Sequence, residues 1–146
     1  MEGLGWHIIA EVMGVEPKIL NDSELLKSIL LDASTDANLT VLDSKVQRFS
    51  PQGVSILLVI AESHIAIHTW PEYGYAALDV FTCRDEESTW RAYNYIIKIL
   101  NPKNVQVMLV KRGLGVTTSV PSEEAISSSD ILTEKTMASK EGLTIA

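Results

Sequence analysis

Apolar and polar positions along the chain change period several times, and each change marks an element. Residues 7–12 read as a strand. Asn21, Asp22 and Ser23 then precede Glu24 and apolar positions at Leu26, Ile29, Leu30 and Ala33, which is the spacing of a helix with a capping signal and one buried face. Residues 39–50 are strand-like, and Pro51, Gln52 and Gly53 make a turn. Residues 54–61 are almost continuously apolar and are expected to form a strand buried on both faces. Residues 65–70 alternate apolar with polar, residues 75–83 are rich in β-branched and aromatic side chains, and residues 71–74 supply the turn between them. Ser88 is placed to cap a helix whose Trp90, Tyr93, Ile97 and Leu100 share a face and which Asn101 and Pro102 close. Residues 105–110 give the last strand. The order β-α-β-β-β-β-α-β, with its many hairpins, predicts an α+β fold: a two-layer sandwich of a mainly antiparallel sheet with the helices packed on one face.

Composition bounds the remainder. A chain of 146 residues with 46% hydrophobic content suits one domain with a real core, small enough to gain from oligomerisation. We expect that domain to span residues 1–113. Residues 114–146 have no aromatic side chain, many Ser and Thr, and no sustained period, so a disordered tail is expected there. A net charge of −7 argues against a nucleic-acid partner held through phosphates. One cysteine cannot form an internal disulfide, which fits a reducing cytoplasm. The longest apolar run is too short for a bilayer span, and the start of the chain lacks the pattern of a secretory signal, so no membrane partner is expected.

Candidate chemistry concentrates in residues 62–83, which hold two of the three histidines, the sole cysteine and a serine following a glutamate. If residues 71–74 form the loop, Trp70 faces Tyr75, and counting back sets His68 opposite Ala77, His64 opposite Phe81 and Glu62 opposite Cys83. The thiol is thereby placed beside the Glu62-Ser63 peptide bond. A slip of one residue would turn the whole partner strand over. Ser63 and His68 differ in parity, so a regular strand sends them to opposite faces, and a break near Ser63 is required for them to meet. Ser55 lies in an apolar run where an unpaired hydroxyl is costly, and a partner for it is expected. His7 reads as a strand histidine without a chemical role.

The run E-S-H-x-x-I-H-T-W-P-E-Y-G-Y-A-A-x-D-V-F-T-C resembles the signature of the short prokaryotic S-adenosylmethionine decarboxylases, self-cleaving pyruvoyl enzymes, and the resemblance extends over residues 5–113. It implies autocatalytic cleavage between Glu62 and Ser63, with Ser63 becoming a covalent pyruvoyl group that forms a Schiff base with the substrate. The same resemblance implies that His68 transfers protons during processing, that Ser55 supports processing, and that Cys83 is the proton donor in decarboxylation. Phe49, Trp70 and Glu72 are carried over as substrate-binding residues, with no metal. The implied product is the aminopropyl donor for spermidine and other polyamines, and the implied assembly is a dimer of cleaved α/β heterodimers. Arg84 departs from the glycine usual after the cysteine, which puts the geometry of that loop in question.

Other readings differ in testable ways. Related pyruvoyl enzymes decarboxylate arginine or ornithine on the same scaffold. An inactive regulatory paralogue should have lost Ser63, His68 or Cys83, and all three are present. A thiol enzyme, or a metal site of His64, His68 and Cys83, is weaker, because a spacing of four between histidines belongs to a helix face rather than a strand.

Overall fold

The structure, a computed structural model, describes residues 4–113. Its strands are β1 (Gly5–Met13), β2 (Val41–Arg48), β3 (Val54–Ile60), β4 (Ser63–Trp70), β5 (Tyr75–Thr82) and β6 (Asn104–Arg112). They form one six-stranded sheet in the order β2-β3-β4-β5-β1-β6, and every neighbouring pair is antiparallel. Three helices accompany the sheet: α1 (Pro17–Leu20), α2 (Ser23–Asp36) and α3 (Glu86–Leu100). α2 and α3 pack on each other and on the sheet, giving the two layers expected from the sequence. The core lies between them, where Ile8, Ile56, Leu58, Ile65, Ile67 and Leu78 meet Leu26, Leu30, Ile96 and Ile97 with almost no exposed surface.

Local chemistry explains the boundaries. Asp22 caps α2 by accepting from Leu25 N–H at 3.0 Å. Asp85, rather than Ser88, caps α3: its carboxylate accepts from Ser88 N–H at 2.6 Å, and that bond holds the carboxyl below its ordinary pKa. Glu86 and Glu87, which precede the cap position read from the sequence, therefore occupy the first helical turn, where the helix dipole favours acids. Asn101 ends α3 at φ +49°. The short α1 was not expected; Pro17 starts it, and a single turn leaves no period to read.

The expectation for β3 needs correcting. Helices cover only one sheet face, so β3 alternates: Val54, Ile56, Leu58 and Ile60 are buried, while Leu57 and Val59 are 43% and 40% exposed. The sheet therefore presents an open face, to which the alternation along the strands assigns His7, Ser55, His64, His68, Trp70, Asp79 and Phe81.

Candidate active site

Two tight connections, one at each end of β4, set the geometry of the site. β4 and β5 are joined by the turn Pro71–Tyr73 and by Gly74, which adopts φ +62° and donates its N–H to Pro71. The resulting register is the one counted from the sequence: Trp70 with Tyr75, His68 with Ala77, His64 with Phe81. β3 and β4 are joined by Ala61 and Glu62 alone, since Ile60 pairs directly with Ser63. A two-residue hairpin normally relies on Gly or Asn to take a positive φ. Neither is present, and the demand falls on Ser63, at φ +145°. That value is strained for any residue with a Cβ.

The Glu62-Ser63 peptide is held from several sides. Cys83 donates its backbone N–H to the Glu62 carbonyl oxygen at 2.8 Å. The Glu62 side chain accepts from Thr40 N–H at 3.1 Å, and Ala61 N–H bonds to the Thr40 carbonyl. Next to Cys83, Arg84 needs no glycine-like backbone, because it is absent from the positive-φ positions; its N–H bonds to the Thr82 hydroxyl, which in turn bonds to Thr89 of α3. A cleft of about 330 Å³ opens here, walled by Leu4, Gly5, Ser63, Phe81, Cys83, Arg112 and Gly113. Cys83 is free and exposed.

Ser55 and His68 form a second cluster. They are cross-strand partners on β3 and β4, and the Ser55 hydroxyl lies 2.6 Å from His68 Nδ1, so the polar group in that apolar run is paired. Trp70 stacks on Tyr75 at 5.2 Å and is 40% exposed; Phe49, at the neighbouring hairpin, is 53% exposed, and Glu72 lies in the turn Pro71–Tyr73. This cluster is separated from Ser63 by five strand residues, roughly 17 Å at ~3.3 Å per residue. The backbone break at Ser63 does not close that gap within one chain.

Between the clusters lie residues whose proximity the sequence reading did not detect. Because β1 inserts between β5 and β6, His7 comes to the Phe81 ring at 5.0 Å and to His64 at 6.0 Å. Its Nε2 lies 3.2 Å from Asp79, and its Nδ1 lies 3.3 Å from the Arg112 guanidinium. Arginine has only donors, so Nδ1 accepts and Nε2–H donates to Asp79. That bond holds the Asp79 carboxyl below its ordinary pKa, while burial, with His7 nearby, lowers that of His64. His7, His64 and Asp79 bring ligand atoms within 4.8 Å of one another. Within this group both ring nitrogens of His7 are engaged, Nε2 by Asp79 and Nδ1 by Arg112. His64 and His68, four strand residues apart, are roughly 13 Å from one another and share no ion. A larger cleft of about 490 Å³ between α2 and α3 contains none of the reactive residues, and in it Arg91 pairs with Asp36 at 3.3 Å and Arg84 with Asp85 at 3.8 Å.

Comparison with known proteins agrees with this geometry. The family profile of S-adenosylmethionine decarboxylase matches residues 6–113. The S-adenosylmethionine decarboxylase proenzyme of Clostridium tetani is 48% identical over 114 residues, covering 78% of this chain and 90% of the relative. The protein of the same name from Caldicellulosiruptor saccharolyticus is 47% identical, with 78% and 92% covered. Among solved structures, the adenosylmethionine decarboxylase of Aquifex aeolicus superposes with a TM-score of 0.76 at 38% identity, covering 84% of this chain and all of that one. The Trypanosoma brucei AdoMetDC monomer shares the fold alone, at TM-score 0.54 and 13% identity, with 71% of this chain and 45% of that one covered. Profile, relatives and fold coincide on the residues that carry the strained Glu62-Ser63 turn, and the chain belongs to the S-adenosylmethionine decarboxylase family.

Proposed function

We propose that the chain cleaves itself between Glu62 and Ser63 and then decarboxylates S-adenosylmethionine, giving the aminopropyl donor for spermidine synthesis. The observation that carries this reading is the junction itself: a serine at φ +145° follows a carbonyl already bound by the Cys83 N–H at 2.8 Å. Attack of Ser63 Oγ on that carbonyl places negative charge on an oxygen with a donor in position. The C–N bond then breaks as the ester forms, and a proton passes to the Ser63 nitrogen. Loss of the Ser63 Cα proton expels the Glu62 carboxylate, and the resulting dehydroalanine tautomerises and hydrolyses to a pyruvoyl terminus and ammonia. That group supplies a conjugated carbonyl that condenses with the substrate amine and accepts the electron pair released with CO2. Cys83, across from the new terminus, is the acid that returns a proton to the substrate α-carbon.

His68 is the proton-transfer group of processing, supported by Ser55, and both act from a second copy of the chain. Two features support this. The intrachain separation of the clusters is too large for proton transfer, and the face carrying them exposes Leu57, Val59 and Trp70. Two sheets stacked in opposite directions bring His68, Phe49, Trp70 and Glu72 of one copy to Ser63 and Cys83 of the other. Phe49 and Trp70 then offer aromatic faces to adenine and the sulfonium, and Glu72 accepts from the ribose. The assembly is a dimer of cleaved heterodimers. No helix among the described residues is long and apolar enough to cross a membrane, and the lone cysteine favours a cytoplasmic protein. Residues 114–146, assigned from sequence to a tail, lie outside the described residues.

The test offers purified protein carboxyl-labelled S-adenosylmethionine, arginine and ornithine in parallel and follows CO2 release with intact mass. Cleavage before Ser63 and release from S-adenosylmethionine are expected. Release only from arginine or ornithine would replace the substrate, and an uncut chain without activity would favour a regulatory subunit.

A further inference from the structure

Arg112 reaches the reactive cleft by an unusual route. It ends β6, paired with Gly5 of β1, and β1 separates it from β5. A side chain on β1 at that position would bar the way: a Cβ on Gly5 would stand 2.7 Å from Cε1 of Phe81. With no side chain there, the Phe81 ring fills the gap, and the Arg112 guanidinium extends over it, 4.5 Å from its centroid. The cation thus enters the cleft that Ser63 and Cys83 also line. Among the described residues, no carboxylate lies within ion-pairing distance of it, and its one hydrogen bond goes to His7 Nδ1 at 3.3 Å. A guanidinium carries five N–H donors, so most remain available to a ligand. His7, anchored by Asp79, fixes the direction in which they point.

Resting on the reading that Ser63 becomes the reactive carbonyl, we infer that Arg112 recognises the α-carboxylate of the substrate. The substrate binds Ser63 through its α-amine, and its carboxylate hangs from the same carbon, so both must enter this cleft. A guanidinium attracts the carboxylate and repels the sulfonium, which sets the substrate's direction between the two clusters. Once CO2 has left, the product carries no anion for Arg112 to hold. Arg112 therefore discriminates substrate from product and acts as a positioning residue, with no proton or bond of its own in the reaction.

The experiment compares wild type, Arg112→Gln and Arg112→Lys after cleavage, measuring kcat and KM for S-adenosylmethionine and, by calorimetry, the Kd of decarboxylated S-adenosylmethionine. For Arg112→Gln, KM should rise roughly 10- to 100-fold, as for loss of a charged hydrogen bond. The Kd of the decarboxylated compound should stay within about twofold, and Arg112→Lys should recover part of the loss. Equal weakening of both ligands, or an unchanged KM, overturns the inference. An unchanged KM with a lower melting temperature only in the cleaved protein assigns Arg112 instead to the new carboxylate at Glu62, and also overturns it. If Arg112→Gln fails to mature, Arg112→Lys decides: a KM several-fold above wild type supports the docking role, and one equal to wild type sinks it. A wild-type protein without activity on S-adenosylmethionine defeats both this inference and the reading beneath it, whereas an active wild type with an indifferent Arg112 defeats this inference alone.

Discussion

Ser63 carries φ +145° on a residue with a Cβ, and that strain can be measured apart from the chemistry. Ser63→Ala and Ser63→Gly both lack the hydroxyl, so both should remain single chains on intact mass. They differ in backbone freedom: glycine takes this conformation readily and alanine does not. Ser63→Gly should therefore be the more stable of the two to urea, by roughly 1 kcal/mol after its own entropy cost. The opposite ranking would remove strain as a contribution to cleavage. Cys83 separates two roles in one residue, because its N–H bonds to the Glu62 carbonyl while its thiol is free. Cys83→Ala keeps the N–H and should still cleave, whereas its turnover should fall about 10²- to 10⁴-fold for want of a positioned acid. A time course of CO2 release from the cleaved variant decides this, and undiminished turnover would take the thiol out of the reaction.

The elements are fastened at the far end of the hairpin by one buried hydroxyl. Thr69 Oγ1 accepts from Val54 N–H at 2.9 Å and lies 2.7 Å from the Leu20 carbonyl, tying β4 to β3 and to α1. Thr69→Val preserves shape but strands both backbone groups, at an expected cost of about 1–3 kcal/mol in urea unfolding, with Thr69→Ser recovering most of it. A neutral Thr69→Val would mean that another group reaches Val54 and Leu20. The contrast between this hairpin and its neighbours shows what was readable in the sequence. A four-residue turn with Pro71 and Gly74 fixes its register by counting, and that placed Glu62 beside Cys83. The turn at Ala61 and Glu62 carries no turn residue, so the sequence showed a gap between the strands 54–61 and 65–70 but neither the length of the turn nor its register. His7 and Arg112 were hidden for another reason: their approach to Phe81 depends on β1 inserting between β5 and β6, a long-range choice that no local period encodes. The only local sign was a glycine at the start of β1 and an arginine before a glycine at the end of β6.

Across the whole molecule, the reactive groups fall at opposite ends of one open face, and a two-copy site makes a specific demand. Ser63→Ala cannot be cut but retains His68; His68→Ala can be cut but lacks its own imidazole. Each alone should stay intact. Coexpressed with distinguishable tags, they should yield cut His68→Ala chains and uncut Ser63→Ala chains, read by mass, and an absence of cut chains would exclude exchange of His68 between copies. The strand order carries one more consequence. A cut between Glu62 and Ser63 leaves β1, β2 and β3 on one fragment and β4, β5 and β6 on the other, yet in the sheet β1 lies between β5 and β6. The fragments are interleaved, so they cannot part without breaking three strand pairs, β3 with β4, β5 with β1, and β1 with β6. Cleavage there would change the molecularity of the fold: the uncut chain refolds alone at any dilution, while the two fragments, once unfolded, would have to find each other by collision.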